Sequence, residues 1–431
     1  MHQSEFKDAF LAELEWRGFL EATTSANLDG FLAAGRRTLY VGFDPTAASL
    51  HLGSLIPVMA LAHAQRHGHR PIALVGGGTG LIGDPSGKSS ERTLLTPEKT
   101  NENAAGIGAQ LSKFFDLSTP DRALMLNNID WLTPLHYIDF LRDVGKHFSV
   151  NEMIKRDSVR IRLEERDHGI SYTEFSYMLL QAYDFLHLCQ HHDCTIQMGG
   201  SDQWGNILSG KELIRRVLGK TSEGITFPLL TASNGKKFGK SEEGAVWLDA
   251  QLTSPYKMYQ YWLQTTDEDV VRYLKLFTFL DQTRIGELEN AVKSAPEGRA
   301  AQRVLAAECT GVVHGEDAVR AVESASRILF GPWEDSVSVE TVDALAREMP
   351  VTHVPSADLE RGVPLTELFQ RAGLTESKGA ARKLVESGGC YVNNVRETVP
   401  QRPVITADIR MPGAILLRSG KKNYCLVQVS A

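Results

Sequence analysis

Four groups of side chains in this sequence have the types and spacing to do chemistry on a charged ligand. The first is Tyr40-Val41-Gly42-Phe43-Asp44-Pro45-Thr46, followed by His51-Leu52-Gly53-Ser54. A histidine and a small-residue pair at a helix N-terminus suit phosphate. Backbone N–H groups and the helix dipole attract the anion, and glycine lets the backbone come close. His51 taken in isolation reads rather as a local cap. The second group is Gly235-Lys236-Lys237-Phe238-Gly239-Lys240-Ser241. Three lysines around two glycines suit a mobile clamp on polyphosphate, although a solvated surface loop reads the same way. The third is Tyr177, Gln181 and Asp184, one face of a helix whose remaining circumference (Phe175, Met178, Leu179, Ala182, Phe185, Leu186) is apolar. A nearly buried helix must find partners for such a polar stripe. A small polar ligand would supply them, and so would an internal hydrogen-bond network. The fourth, Gly199-Gly200-Ser201-Asp202-Gln203-Trp204, follows an apolar strand run, at the strand end where α/β sheets bind ligands.

The elements that must position these groups alternate. A helical stretch is expected over 5–35, a strand over 38–43, a helix over 52–67 and a second buried strand over 71–75, closed by Gly76-Gly77-Gly78. Helix 97–116, strand 123–127, helix 133–145, helix 173–190, strand 194–198 and helix 203–218 continue the pattern. Such alternation argues for a parallel α/β sheet with crossover helices. From Pro255 to about 330 only helical periodicity remains. Residues 331–355, with Pro332, Pro350 and Pro355, read mostly as a connection, and short helices and β-branched runs follow. Two glycine motifs in this region mislead. Gly78-Thr79-Gly80-Leu81-Ile82-Gly83 matches a dinucleotide fingerprint, but turn chemistry at Asp84-Pro85-Ser86-Gly87 replaces the required helix. Gly83 to Ser89 misses the P-loop spacing by one residue.

Composition narrows the class. With 431 residues, 42% of them hydrophobic and 23% charged, and a mean hydropathy of −0.20, the chain is a globular protein of several domains. No run approaches the roughly 20 apolar residues of a spanning helix. The acidic N-terminus resembles neither a secretory signal nor a transit peptide, and five cysteines without C-x-x-C spacing encode neither a disulfide framework nor a zinc site. The expected location is the cytoplasm. Net charge is −7, but residues 355–431 carry 11 Lys/Arg against 7 Asp/Glu, while residues 1–354 carry 35 against 46. A basic tail on an acidic body fits a polyanionic partner, and also fits ordinary fluctuation of surface charge.

Taken together, Tyr40 to Thr46, Gly80 to Thr93, Thr173 to Phe185, Gln197 to Asn206 and Lys237 to Ser241 closely resemble bacterial tyrosyl-tRNA synthetases, class I aminoacyl-tRNA synthetases, over essentially the whole chain. His51 to Ser54 is similar to the class I HIGH signature and Lys237 to Ser241 to KMSKS. The resemblance implies a Rossmann-like catalytic domain over 1–250, an all-helical anticodon-side domain over 251–330, a linker over 331–355, and an α+β RNA-binding domain over 356–431. It implies attack of the tyrosine carboxylate on the α-phosphate of ATP, then transfer of the tyrosyl group to the 3′ end of tRNA(Tyr), with catalysis by in-line positioning and charge neutralisation. Mg²⁺ would accompany ATP without a dedicated protein cage. A homodimer is implied, with no DNA partner and no membrane.

By matching positions, His51, Lys237, Lys240 and Ser241 would contact the phosphates, with Lys88 and Arg92 as secondary candidates. Asp202 would hold ribose beside Gly42, Gly53 and Gly200, with Asp44, Thr46 and Ser54 completing the ATP set. Tyr177, Gln181 and Asp84 would bind the tyrosine α-ammonium, and Gln203 would lie near the reacting carboxylate. Tyr40 and Asp184 would bond the phenolic hydroxyl, with Gln197 in the same pocket. A site built for a hydroxyl leaves buried groups unpaired when phenylalanine enters, so no editing domain is needed. A tryptophanyl-type enzyme would share the fold, but Tyr40 with Asp184 argues for a phenol. A non-catalytic RNA-binding derivative would lose the site. Ser54 departs from the class signature, which has a second histidine there, and a contact to ATP is thereby lost, weakened or water-mediated.

Overall fold

A computed structural model describes residues 6–86, 95–156, 159–160, 163, 170–233, 235, 238–241, 244–330, 333 and 337–430. It divides into two compact units, Met1–Thr253 with Gln264–Leu305, and Ser254–Leu263 with Ala306–Ala431. The first unit runs α1 (Ala9–Arg17), β1 (Ala22–Thr23), α2 (Leu28–Ala33), β2 (Thr38–Phe43), α3 (Leu55–Arg66), β3 (Arg70–Val75), α4 (Pro97–Leu111) and β4 (Leu124–Asn127). It continues with α5 (Ile129–Leu132), α6 (Tyr137–Asp143), α7 (Val150–Ile154), α8 (Tyr172–His192), β5 (Cys194–Gly200), α9 (Trp204–Leu218) and β6 (Glu223–Phe227).

The sheet order is β1-β6-β5-β2-β3-β4, with β2 to β6 mutually parallel and β1 antiparallel at the edge. Near-continuous apolar runs such as Leu39-Tyr40-Val41 and Ile72-Ala73-Leu74-Val75 are buried on both faces, as a parallel sheet under crossover helices requires. Helix α3 packs against β2 and β3, while α8 and α9 pack against β5 and β6. Strand β2 continues to β3 on one side and pairs with β5 on the other, so the strand order reverses between β2 and β5. This is the doubly-wound pattern, which opens a crevice at the carboxyl ends of the strands.

The expected 5–35 helix is instead two helices, α1 and α2, separated by β1. Asp8 and Gly18 cap α1, the latter in the left-handed conformation at φ 84°. Ala22 and Thr23 then pair with Thr226 and Ile225 of β6, a strand absent from the sequence reading. The C-terminal end of α1 is anchored by Arg17, which is 2% exposed. Its guanidinium donates to the carbonyls of Lys275 (2.7 Å), Thr278 (2.9 Å) and Leu280 (2.7 Å), and to Glu13 (2.6 Å).

In the second unit a five-stranded sheet is ordered β12-β11-β14-β15-β9, from β9 (Val351–Pro355), β11 (Cys390–Val392), β12 (Val395–Glu397), β14 (Ala414–Ser419) and β15 (Asn423–Ser430). Strands β10 (Val363–Pro364) and β13 (Pro403–Val404) form a separate antiparallel pair, and helices Leu365–Arg371 and Lys378–Glu386 cover one face of the larger sheet. Residues 331–355 are not mostly a connection. Val339–Glu348 is a helix capped by Ser338, and β9 pairs parallel with β15. Prolines at 350 and 355 are tolerated because β9 lies at the sheet edge. Leu345 and Val342 share a core with Ile328, Leu329, Leu416 and Leu426.

Arg17→Met is expected to cost the first unit about 3 kcal/mol, by orphaning three carbonyls and Glu13, and to lower the urea midpoint of unfolding without changing its slope.

Candidate active site

Several of the residues singled out in the sequence gather at the carboxyl ends of β2, β3 and β5. Gly42 and Asp44 close β2, Gly76 to Gly78 follow β3, and Gly200, Asp202 and Gln203 follow β5. Backbones approach closely here. A Cβ on Gly76 would lie 2.7 Å from Asp44 Oδ1, and one on Gly200 would lie 2.4 Å from Asp202 Oδ1. The Gly78-Thr79-Gly80 stretch forms only a single 3-10 turn, so no helix opens at the glycine fingerprint.

At the buried end of this crevice lies Asp184, on α8 and 2% exposed. Its Oδ1 accepts from Trp131 Nε1 at 2.7 Å and its Oδ2 from Asn128 Nδ2 at 2.9 Å. Burial pushes its carboxyl up to about 7, and Asp44 adds to the rise, against the lowering effect of the two donors. Asn128 also donates to Thr79 (2.9 Å) and accepts from the Gly78 N–H (2.7 Å). Beside Asp184, Tyr40 is 1% exposed and its hydroxyl makes no hydrogen bond. Burial, and then the Asp184 charge, hold that phenol protonated far above its ordinary range. Gln197, equally buried, has an unpartnered Oε1. Asn128 and Trp131 escaped the sequence reading. The only signal for them was that the pair Asn127-Asn128 ends a strand run.

Nearer the mouth, polar side chains form a continuous chain. Gln203 Nε2 donates to Asp84 Oδ2 (2.7 Å) and Asp202 Oδ2 (3.1 Å). Gln203 Oε1 accepts from Gln181 Nε2 (3.1 Å) and Asn206 Nδ2 (3.2 Å), and Asn206 also donates to Gln181 Oε1 (2.9 Å). Tyr177 donates to Asp44 Oδ1 at 3.5 Å. The structure therefore joins Asp84, Gln181, Asp202 and Gln203 in one acceptor-rich chain, with the Tyr177–Asp44 pair close enough for the Asp84 charge to act on the phenol, and this suits an ammonium group and sugar hydroxyls.

The two signature-like segments also meet. Leu52 N donates to Val246 O (2.9 Å), Leu248 N to Leu50 O (2.8 Å), and His51 pairs with Trp247 in an antiparallel bridge. Gly239, at φ 77°, lies so close that a Cβ would stand 2.9 Å from the Gly53 backbone nitrogen. Phe238 anchors this loop by stacking on Phe277, with centroids 5.0 Å apart. Lys240 is exposed in β7 (Lys240–Ser241), which pairs with β8 (Gly244–Ala245). His51 and Thr46 are exposed, and neither His51 nor Ser54 uses its side chain as a helix cap. Lys88, Arg92 and Lys237 lie outside the described residues, and Ser241 is placed only as part of β7. Among the described residues no cluster of three His, Cys, Asp or Glu side chains could hold a metal.

Comparison with known proteins agrees with this geometry. Residues 33–331 match the family of class I tRNA synthetases for tryptophan and tyrosine, and residues 345–427 match the C-terminal domain of tyrosine–tRNA ligases. A tyrosine–tRNA ligase of Desulfosudis oleivorans is 50% identical over 96% of this chain and 98% of its own. One from Opitutus terrae is 49% identical over 97% and 99%. A C-terminally truncated mitochondrial tyrosyl-tRNA synthetase of Aspergillus nidulans is similar in structure, with a TM-score of 0.68 and 33% identity over 74% of this chain and 94% of its own. With near-complete coverage by such relatives and a crevice built at the strand-order reversal, the chain belongs to the tyrosine–tRNA ligases, class I aminoacyl-tRNA synthetases.

Proposed function

We propose that the buried pair Tyr40 and Asp184 reads the phenolic hydroxyl of tyrosine. The observation that carries this is the orphaned Tyr40 hydroxyl beside a carboxylate already held by Asn128 and Trp131. A phenol between them donates to Asp184 and accepts from Tyr40, satisfying both. Phenylalanine leaves the buried Tyr40 hydroxyl without a partner and brings Asp184 no further donor, and the indole of tryptophan has no hydroxyl to put there. Asp84, Tyr177 and Gln181 take the α-ammonium, Gln197 lines the pocket, and Gln203 steadies the carboxylate that attacks ATP.

ATP enters across Gly42, Asp44, Thr46, Gly53 and Gly200, with its ribose on Asp202. Contact with the phosphates is assigned to His51, Lys237, Lys240 and Ser241, with Lys88 and Arg92 secondary and Ser54 in the wider ATP set, and Mg²⁺ arrives on the phosphates. Adenylate formation then needs little beyond in-line positioning and neutralisation of the pyrophosphate charge that develops. The tyrosyl group passes next to the 3′ end of tRNA(Tyr), while the basic module over 356–431 grips the RNA. The reaction belongs in the cytoplasm, and no described helix is long and apolar enough to cross a membrane.

The enzyme acts as a homodimer in this reading. Tyr137, Ile138, Leu141, Val150, Ile154 and Tyr172 are exposed on α6, α7 and the start of α8, elements that share one small core through Phe140, Phe148, Met153 and Phe175. An apolar patch of this kind marks an interface. Ile138→Arg is expected to convert a sedimenting dimer into a monomer. A wild-type chain that sediments as a monomer overturns the assignment.

ATP–pyrophosphate exchange should require tyrosine and stay at background with phenylalanine or tryptophan. Exchange supported equally by phenylalanine removes the role given to Tyr40 and Asp184. In free enzyme the Asp184 carboxyl is protonated below about 7, and a bound phenol stabilises the charged form, so binding releases a proton below that pH. Tyrosine affinity is thus expected to rise as pH climbs from about 5.5 to 7.5. Nearby His187, pushed down to about 4 chiefly by burial, stays neutral across this window. Asp184→Asn should weaken tyrosine binding about 10- to 100-fold and flatten that pH dependence, both measurable by calorimetry.

A further inference from the structure

The turn carrying His51 and the strand pair carrying Lys240 are distant in sequence, and besides the backbone bonds of Leu52 to Val246 and Leu248 to Leu50, one side chain from a third element ties the two segments together. Gln110, on α4, is 7% exposed. Its Oε1 accepts from Leu50 N at 2.8 Å and its Nε2 donates to Ser49 Oγ at 2.9 Å. Ser49 is buried as well. Its hydroxyl donates to Leu50 O (2.7 Å) and accepts from Asp249 N (3.1 Å) as well as from Gln110. The hydroxyl thus uses its one donor and both acceptor positions. Leu50 O is the same carbonyl that receives Leu248 N. The amide and hydroxyl therefore form a hub that joins α4, the residue preceding His51, and the segment that follows the lysine loop.

Helix α4 is suited to act as the ruler. Asn103, Gly106 and Gln110 fall on one stripe at i, i+3 and i+7. Asn103 Nδ2 donates to Pro45 O (2.9 Å), and a Cβ on Gly106 would stand 2.4 Å from Ala48 O. One rigid helix thus follows the chain from the end of β2 to the turn at His51. A buried glutamine is costly unless fully bonded, and an apolar side chain would fill the same volume without setting any register.

We propose that Gln110, acting through Ser49, is a positioning residue for the ATP step, setting the register between the His51 turn and the lysine-bearing hairpin. The inference rests on the reading of His51 and Lys240 as phosphate contacts. In-line attack tolerates little misplacement, so the loss should appear in the handling of ATP and not in the binding of tyrosine.

The test uses full-length enzyme carrying Gln110→Met, Ser49→Ala, both together, and separately His51→Ala. In ATP–pyrophosphate exchange, kcat/KM for ATP is expected to fall about tenfold or more in each single variant, while the tyrosine Kd changes less than about twofold. The double variant should be no worse than the weaker single, since both remove one hub. ATP parameters within about twofold of wild type in Gln110→Met, or an equal loss in tyrosine affinity, overturn the proposal. If His51→Ala also leaves ATP handling intact, it is the reading of the phosphate site that fails. A crippled His51→Ala beside an unaffected Gln110→Met overturns the positioning role alone. Should Gln110→Met not fold, Ser49→Ala against Ser49→Thr decides. Loss restored by the threonine hydroxyl supports the hub, and an unimpaired alanine variant overturns it.

Discussion

The working part of this molecule depends on one topological constraint, the reversal of strand order between β2 and β5. Crossovers leave these two neighbours in opposite directions, so no connection bridges their carboxyl ends and a crevice is left open there. Everything placed around that crevice is held by backbone from different parts of the chain. Glycines at 76 and 200 let side chains from neighbouring segments come closer than any Cβ would allow. The buried polar groups then need partners, and several find them across the crevice.

Asp184 shows how the fold prepares charge. A carboxylate this deeply buried would ordinarily stay neutral, and burial does push it up to about 7. Two donors fixed on α5 and its preceding turn offset part of that cost. Trp131 is itself immobilised, stacked on His187 with centroids 4.3 Å apart. The site is thus a carboxylate near its titration point, with its orientation settled before any ligand arrives. This is preorganisation of a polar environment, which costs nothing at the moment of binding.

Much of this was legible in the sequence. Strands β2, β3, β4 and β5 and helices α3, α8 and α9 stood out because apolar runs and 3.6-residue stripes are direct consequences of two-sided and one-sided burial. The elements that stayed hidden share a physical reason. Strand β6 begins with Glu223, a buried residue whose charge is paired with Lys211 at 2.7 Å, so its first position looks like surface. Strand β1 is two residues of edge. The helix over Val339–Glu348 buries only Thr341, Val342 and Leu345, too narrow a stripe to register, and β9 is bracketed by prolines. In the site, the polar stripe Tyr177, Gln181 and Asp184 announced itself by being polar on a buried helix. Asn128 and Trp131 did not, because their roles exist only through contacts with a residue more than fifty positions away.

The edge strand β9 has a mechanical consequence. Because β9 is hydrogen-bonded into the sheet and Leu345 shares a core with Leu416 and Leu426, the C-terminal module does not hang on a tether. A tethered module must surrender the freedom of its linker each time it engages a partner, and it passes on almost no force. Here that entropy has already been surrendered during folding. A load applied to β14 or β15 reaches the helix Glu316–Phe330 through packed side chains, so that this part of the molecule answers as a stiff lever and not as a leash.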